Sequence, residues 1–304
     1  MSRKILIIGG TYFAGRVFAM LASRNAGFEL TFVNRGRYSM GHLPNVTEYR
    51  ADRHDPAALQ ALPAGEYDAI VDFCAYAPGE IRTVLENLGG RFGKYIYLST
   101  ADVYDRSTPA PWTEDSPVVS AQPAGPAGES VYNKMLLEAE CRSECEKRGI
   151  ASVILRPSFI YGPYNYAPRE SFYVQKICRG EAIPHPVDAR SQFQFVYVKD
   201  VALAIIACID RECRGAYNLA APEIITYDRY LEVLRKVSDR PFEVQNVTVQ
   251  QVIEENIPVP FPLTPEESEL FDGSRAAREL GIEYTPLDSA MVNTYNAFKS
   301  VFSD

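Results

Sequence analysis

Near the start of the sequence an apolar strand-like run breaks directly into glycine. Lys4–Ile8 reads KILII, Gly9-Gly10-Thr11-Tyr12-Phe13-Ala14-Gly15 follows, and Arg16–Ser23 then carries apolar residues at helical spacing. A glycine-rich turn between a first strand and a first helix gathers backbone N–H groups and the positive end of the helix at one spot. That spot suits a diphosphate. The run is too short for a secretory leader and is read as a strand.

The same alternation continues. Strand-like segments at Leu30–Asn34, Ala69–Phe73, Tyr95–Ser99 and Ala151–Arg156 alternate with helix-like ones at Pro56–Leu62, Ile81–Leu88 and Tyr132–Lys147. Near-continuous apolar strands separated by helices imply a parallel sheet covered on both faces. The expected fold class is therefore α/β: a Rossmann-type doubly wound parallel sheet with a smaller α/β C-terminal substrate domain. After Tyr161 the texture turns rich in Pro, Tyr and Gly, with a helix-like patch at Ser171–Arg179. Val196–Asp210 reads as strand then helix and Ala216–Leu219 as a strand. Tyr227–Val237 reads as a helix, Glu243–Val249 as a strand, and a Pro-rich bend at 258–265 precedes a last helical region. The expected division is 1–163 with 192–221 for the dinucleotide-binding domain, and 164–191 with 222–304 for the substrate domain.

Composition narrows the function classes. Hydrophobic residues make up 46% of the 304, enough for a large core, and no stretch reaches the length of a membrane span. A net charge of −8 works against a nucleic-acid partner, which calls for a dense positive surface. The six cysteines (74, 141, 145, 178, 208, 213) form no Cys-x-x-Cys pair and read as reduced, buried thiols. The three histidines (42, 54, 185) lack ligand spacing, so no metal site is expected. The expectation is a cytoplasmic protein with a small-molecule substrate and no membrane partner.

The second strand ends Val33-Asn34-Arg35-Gly36-Arg37. An acidic residue there would take the ribose hydroxyls of NAD, whereas a nearby arginine accommodates the 2′-phosphate of NADP. Asn34 and Arg35, with Arg37 close by, favour NADP over NAD. Asp52 is placed to accept from the adenine amino group.

Together these stretches resemble the extended short-chain dehydrogenase/reductases, the NAD-dependent epimerase/dehydratase family. The resemblance rests on GGTYFAG at 9–15, YLSTADVY at 97–104 and KMLLE at 134–138. It continues with ILRPSFIYGP at 154–163, FVYVKDVA at 195–202, YNLAAPEIITYDRYLEVL at 217–234 and FDGSRAARELGIEYTP at 271–286. The GGTxFxG form is most similar to an atypical branch that includes chloroplast stem-loop RNA-binding proteins. The resemblance implies NAD or NADP held by Gly9, Thr11, Tyr12, Phe13 and Gly15, then Asn34, Arg35, Asp52 and Arg53. It adds Ala75, Tyr76, Ser99, Lys134, Pro157 and Ile160. The family's middle turn glycine is replaced by Tyr12, whose Cβ is expected to push the phosphates away or re-aim the turn.

In the family a tyrosine hydroxyl is the acid/base, a lysine four residues later lowers its pKa, and a Ser/Thr fixes the substrate hydroxyl. Thr100 and Lys134 match the last two, and the tyrosine position falls on Ser130. Four helical residues separate side chains by about 40° and two by about 200°. Ser130 thus faces with Lys134, and Tyr132 points away. Three readings stay open: Ser130 caps the helix start, the preceding loop bends so that Tyr132 or Tyr104 reaches the substrate, or the protein binds cofactor without ordinary turnover or with substrate-assisted chemistry. Ala101 stands where the family's dehydratases carry their leaving-group acid, which argues against dehydration, and Asp102 is either a spare base or a solvated carboxylate. Phe193 replaces the arginine that clamps the diphosphate in many sugar-nucleotide epimerases. Arg190, Tyr161 and Tyr104 are the candidate substrate contacts, and Tyr164 and Tyr166 are further candidates for stacking.

Two functions follow. The first is an NAD(P)-dependent epimerase/reductase-like oxidoreductase acting on a sugar-like or sugar-nucleotide substrate. The alternative is a catalytically impaired cofactor-binding regulatory or RNA-associated protein on the same scaffold. A homodimer through the family's long helices is compatible with either.

Overall fold

The computed structural model describes residues 2–302. Seven parallel strands form the central sheet: β1 (Arg3–Ile8), β2 (Phe28–Asn34), β3 (Val46–Arg50), β4 (Ala69–Asp72), β5 (Lys94–Leu98), β6 (Ala151–Pro157) and β7 (Gly215–Leu219). Their order across the sheet is β7-β6-β5-β4-β1-β2-β3. The strand order reverses at β1, so the chain leaves a crevice beyond the carboxyl ends of β1 and its neighbours, where ligands of such sheets bind.

Strand alternation explains the two covered faces. Ile5 and Ile7 of β1, with Leu30, Phe32, Val71 and Ile96, pack under α1 (Phe13–Ala22) and, further along the chain, Val198–Asp210. Leu6 and Ile8, with Val33, Ile70, Tyr95 and Tyr97, face the opposite way. They pack against α2 (Pro56–Gln60), α3 (Glu80–Asn87) and α4 (Gly128–Arg148). The second layer of chain comprises α5 (Glu170–Arg179), α6 (Val198–Asp210), α7 (Tyr227–Val237), α8 (Val249–Glu254) and α9 (Leu287–Phe302). Of these, α5 and α7 pack against α9, and α6 returns to the main sheet beside α1. Two short parallel pairs, Ile183–Pro186 with Val244–Val247 and Phe159–Tyr161 with Phe195–Tyr197, complete this region.

The structure adds to the sequence reading in three places. Strand β3 pairs with β2, yet only one residue in two or so along it is shielded and its sequence VTEYR is largely polar, so periodicity does not expose it. Helix α8 lies just beyond the strand expected at Glu243–Val249, where Thr248 and Gln251 form a capping box. Helix α4 starts at Gly128 and not at Tyr132. A Cβ on Gly128 would lie 1.9 Å from the Pro123 carbonyl oxygen, so glycine lets the chain turn tightly into the helix. Among the described residues no helix is long and apolar enough to cross a membrane, and all six cysteines are free.

Candidate cofactor and active site

At the carboxyl ends of β1, β2, β4 and β5 lies a cavity of about 840 Å³. Its floor is the first turn. Gly9 and Gly10 have φ of +77° and +70°, which only glycine adopts without strain. A Cβ on Gly15 would fall 2.3 Å from the Gly10 Cα, so α1 packs directly on the turn. Helix α1 has no capping side chain and no acid in its first turn. Its N-terminal N–H groups are therefore left for an anion. This cradle fits a dinucleotide diphosphate.

Tyr12 stands where the family's middle turn glycine is missing. Its φ is −132°, ordinary extended backbone, so a side chain is tolerated there. The ring leaves the turn for the cavity mouth and packs on Tyr38 and Tyr166, with centroids 5.6 and 5.3 Å away. Thr11 and Phe13 line the cavity with it. The strained residue of the turn is instead Phe13, whose φ of 35° is unusual for a bulky side chain.

Beyond β2, Asn34 accepts from Gly36 N–H at 2.7 Å and so shapes the bend that presents Arg35 and Arg37. Both arginines line the cavity, and among the described residues neither has a carboxylate within ion-pair distance. Asp52 also lines it, with Oδ1 accepting from His54 N and Nδ1 at 3.0 and 2.8 Å. The backbone N–H of His54 leads in holding the Asp52 carboxyl below its usual range. On its other side His54 meets Glu80 Oε1 at 2.7 Å, which raises the imidazole's pKa. His54 was among the scattered histidines of the sequence, since its partners stand two and 26 residues away.

Arg53 reaches the cavity wall, but its fork is engaged. It donates to both oxygens of Asp72 at 2.8 and 2.9 Å, beneath the Tyr95 hydroxyl. Burial alone would raise the Asp72 carboxyl; Arg53 outweighs it and holds it below the ordinary value. The pair is a strut between β4 and the Asp52–His54 loop.

The far end of the cavity gathers Ser99, Thr100, Ser130, Lys134 and Ile160. Thr100 caps the short turn Ala101–Val103 and donates to Asp102 Oδ2 at 2.9 Å. Asp102 is linked to Arg106 at 3.3 Å, and Arg106 to Glu269 at 3.1 Å. Burial pushes the Glu269 carboxyl up to about 7. Ser99 donates to the buried Glu138. Lys134 Nζ donates to the carbonyls of Leu98 and Ala75 at 3.0 and 3.1 Å, between the rings of Tyr76 and Tyr97. Burial pushes this amine down to about 8.

Ser130 is the third residue of α4, whose cap position is Ala127. The capping reading therefore fails: the helix starts earlier than its apolar pattern shows. Ser130 and Lys134 share the cavity-facing side, and Tyr132 does not line it.

Besides Tyr132, six of the sequence candidates are not brought to the cavity wall, Tyr164 among them, its ring lying under the Arg16 guanidinium. Tyr104 is fully buried, its hydroxyl donating to Asn218 Oδ1 at 2.6 Å and accepting from Arg156 at 2.8 Å. It cannot swing to a substrate without breaking that network. Tyr161 is buried between Phe195 and Tyr197. Arg190 turns to the carbonyls of Val187 and Ala189. Ala75 contributes its carbonyl to Lys134 from behind the wall, and Pro157 is buried at the end of β6. Cys74, Tyr38, His54 and Tyr166 line the cavity without having been singled out as cofactor contacts.

The reversed parallel sheet with an uncapped helix over a glycine turn defines a Rossmann-type nucleotide-binding protein. Residues 80–220 match the NAD dependent epimerase/dehydratase family. The chain is 28% identical over 255 residues to the chloroplast stem-loop binding protein of 41 kDa b of Arabidopsis thaliana, covering 79% of this chain. It spans 64% of that relative's own length. It is 26% identical to a dTDP-glucose 4,6-dehydratase of Streptomyces niveus, over 66% of this chain and 67% of that protein. Its fold matches a UDP-glucuronic acid 4-epimerase from Bacillus cereus, solved with NAD, with a TM-score of 0.76 over 99% of this chain and 98% of that one. At 16% identity this likeness concerns the fold.

Proposed function

We propose that the chain is an NADP(H)-dependent, epimerase- or reductase-like oxidoreductase acting on a small sugar-like hydroxyl or carbonyl compound. The observation that carries this reading is one continuous cavity. It runs from the guanidiniums of Arg35 and Arg37, over the glycine turn, to Thr100 and Lys134. In this reading 1–163 with 192–221 holds the cofactor, 164–191 with 222–304 closes over the substrate, and the enzyme works in the cytoplasm.

The bound nicotinamide would supply a hydride acceptor. Arg35 and Arg37 hold the 2′-phosphate, the α1 N-terminus holds the diphosphate, and Asp52 keeps Oδ2 free for the adenine amino group. Lys134 binds the ribose side of the site. Without a tyrosine at 130, the proton of a substrate hydroxyl has another route. Thr100 can accept it while passing its own proton to Asp102, and the neutral fraction of Lys134 near pH 8 offers a second acceptor. Ser130 orients the substrate, since an aliphatic hydroxyl ionises too poorly to be a base.

Ser130 also favours a second reading, a cofactor-binding protein without turnover. The two separate in one experiment. Purified protein is loaded with NADPH, followed by fluorescence, and offered a panel of keto-sugars. Binding with oxidation of the nicotinamide by any panel member supports the enzyme. Binding without oxidation by any of them supports the second reading, and absence of binding removes both.

A further inference from the structure

At the opposite end of β5 from Thr100, the ammonium of Lys94 is buried, with 7% of the residue exposed. Two of its hydrogens go to the carbonyls of Cys208 and Arg211, at 2.5 and 2.6 Å, where α6 ends. The third faces Cys213 Sγ at 3.8 Å. Among the described residues no carboxylate lies within 4.0 Å of this nitrogen. A buried cation is costly unless an anion or a full set of acceptors compensates it, and the thiol of Cys213 is placed to become that anion. Cys213 Sγ in turn donates to the Cys208 carbonyl at 3.6 Å, which brings these two cysteines, five residues apart, together. Cys208 is fully buried, and Cys213 retains 8% exposure, a narrow access for a small oxidant.

We propose that Cys213 is a redox-reactive thiolate, with Lys94 as its counter-ion and Cys208 as the resolving thiol, which a peroxide converts to a Cys208–Cys213 disulfide. In the first step the Cys213 sulfur attacks one peroxide oxygen. The S–O bond forms as the O–O bond breaks, the sulfur gives up two electrons, and the departing oxygen takes a proton and leaves as water or an alcohol. In the second, the Cys208 sulfur attacks the Cys213 sulfur. The S–S bond forms, the S–O bond breaks, and hydroxide leaves with the Cys208 proton as water.

The surroundings support the assignment. The hydrogen bond from Cys208 comes first and Lys94 helps; together they hold the Cys213 thiol below its ordinary range against burial and the nearby carboxylate of Glu212. Tyr217 on β7, itself hydrogen-bonded to Glu279, is a further titratable neighbour, with Arg275 over its ring. The other cysteine pair, Cys141 and Cys145 on α4, is a built-in contrast. Both are fully buried, Cys141 is pushed well above the ordinary thiol range by its bond to Cys145, and among the described residues no lysine is hydrogen-bonded to either sulfur.

The test uses the whole chain. Native protein is treated briefly with a small excess of hydrogen peroxide, the remaining thiols are blocked in denaturant, and peptides are mapped by mass. The result expected is a disulfide joining the peptides of Cys208 and Cys213, with Cys141 and Cys145 still reduced. Cys208→Ser is expected to leave a sulfenic acid on Cys213 that dimedone captures. Lys94→Met is expected to slow alkylation of Cys213 at pH 7 by about tenfold. Because that variant removes a helix-end contact, the rate for the unaltered chain is also followed against pH. A midpoint below the ordinary thiol value of 9.0 supports the proposal. Cys213 unmodified while the half-buried Cys178 oxidises, or a midpoint at or above 9.0, overturns it.

Discussion

Single residues carry most of the functional reading, and two of them make sharp predictions. Gly15 has no room for a methyl group, because its Cβ would meet the Gly10 Cα at 2.3 Å. Gly15→Ala must push α1 off the turn, at a cost of about 1–3 kcal/mol in stability. Displacing the N–H groups by even part of an ångström is expected to weaken NADPH binding about tenfold or more, which is some 1.4 kcal/mol; calorimetric titration reads it. Lys134 gives a pH signature. Its folded value of about 8 lies below the ordinary 10.5, so between these values the unfolded chain holds the extra proton. Stability therefore rises with pH across that window. Denaturant midpoints are expected to climb from pH 8 to 10.5 in the native chain and to lose that increment in Lys134→Met. An identical pH slope in both would show that the amine is not held in a low-dielectric site.

These residues were legible in the sequence to different degrees. The turn glycines are legible from local spacing, because turn geometry is local, whereas Thr100 and Lys134 come from the family resemblance. The burial of Tyr104 was not legible, since it has the same spacing as a site residue but is captured by Arg156 and Asn218, 52 and 114 residues away. His54 was missed for the opposite reason: its role depends on Glu80 across a loop.

At the scale of elements, β6 is locked to α4 through charge. Arg156 on β6 donates to both oxygens of Glu138 on α4, at 2.9 and 2.6 Å, and to the Tyr104 hydroxyl, with 3% and 1% of the two ionic side chains exposed. Removing one partner leaves a buried charge alone. Arg156→Met is expected to lower stability by about 3–5 kcal/mol, read by chemical denaturation. A loss under about 1 kcal/mol would mean that the pair is solvated in practice. This lock fixes α4, and with it Ser130 and Lys134, against the end of β5. The sheet strands buried on both faces, and the helices between them, were legible from apolar runs. Edge strand β3 and the start of α4 were not, because one is half-exposed and polar and the other depends on a glycine packing against Pro123.

At the scale of the whole molecule, the parallel sheet and its crossovers place everything the cofactor would touch at one edge. Residues as distant as Gly9 and Ile160 therefore share one cavity. Although the net charge is −8, Arg35 and Arg37 line one end of the cavity, and among the described residues neither has a carboxylate within ion-pair distance. That asymmetry predicts cofactor choice. Replacing Arg35 and Arg37 with alanine is expected to weaken NADPH about tenfold or more, as for lost hydrogen bonds to a charged group, and to leave NADH nearly unchanged.

The most direct measurement is calorimetric titration of the unaltered chain with NADPH and with NADH. The account predicts saturable binding of one dinucleotide per chain, tighter for NADPH, and abolished or sharply weakened in Gly15→Ala. No heat with either dinucleotide, in a folded protein, would contradict it.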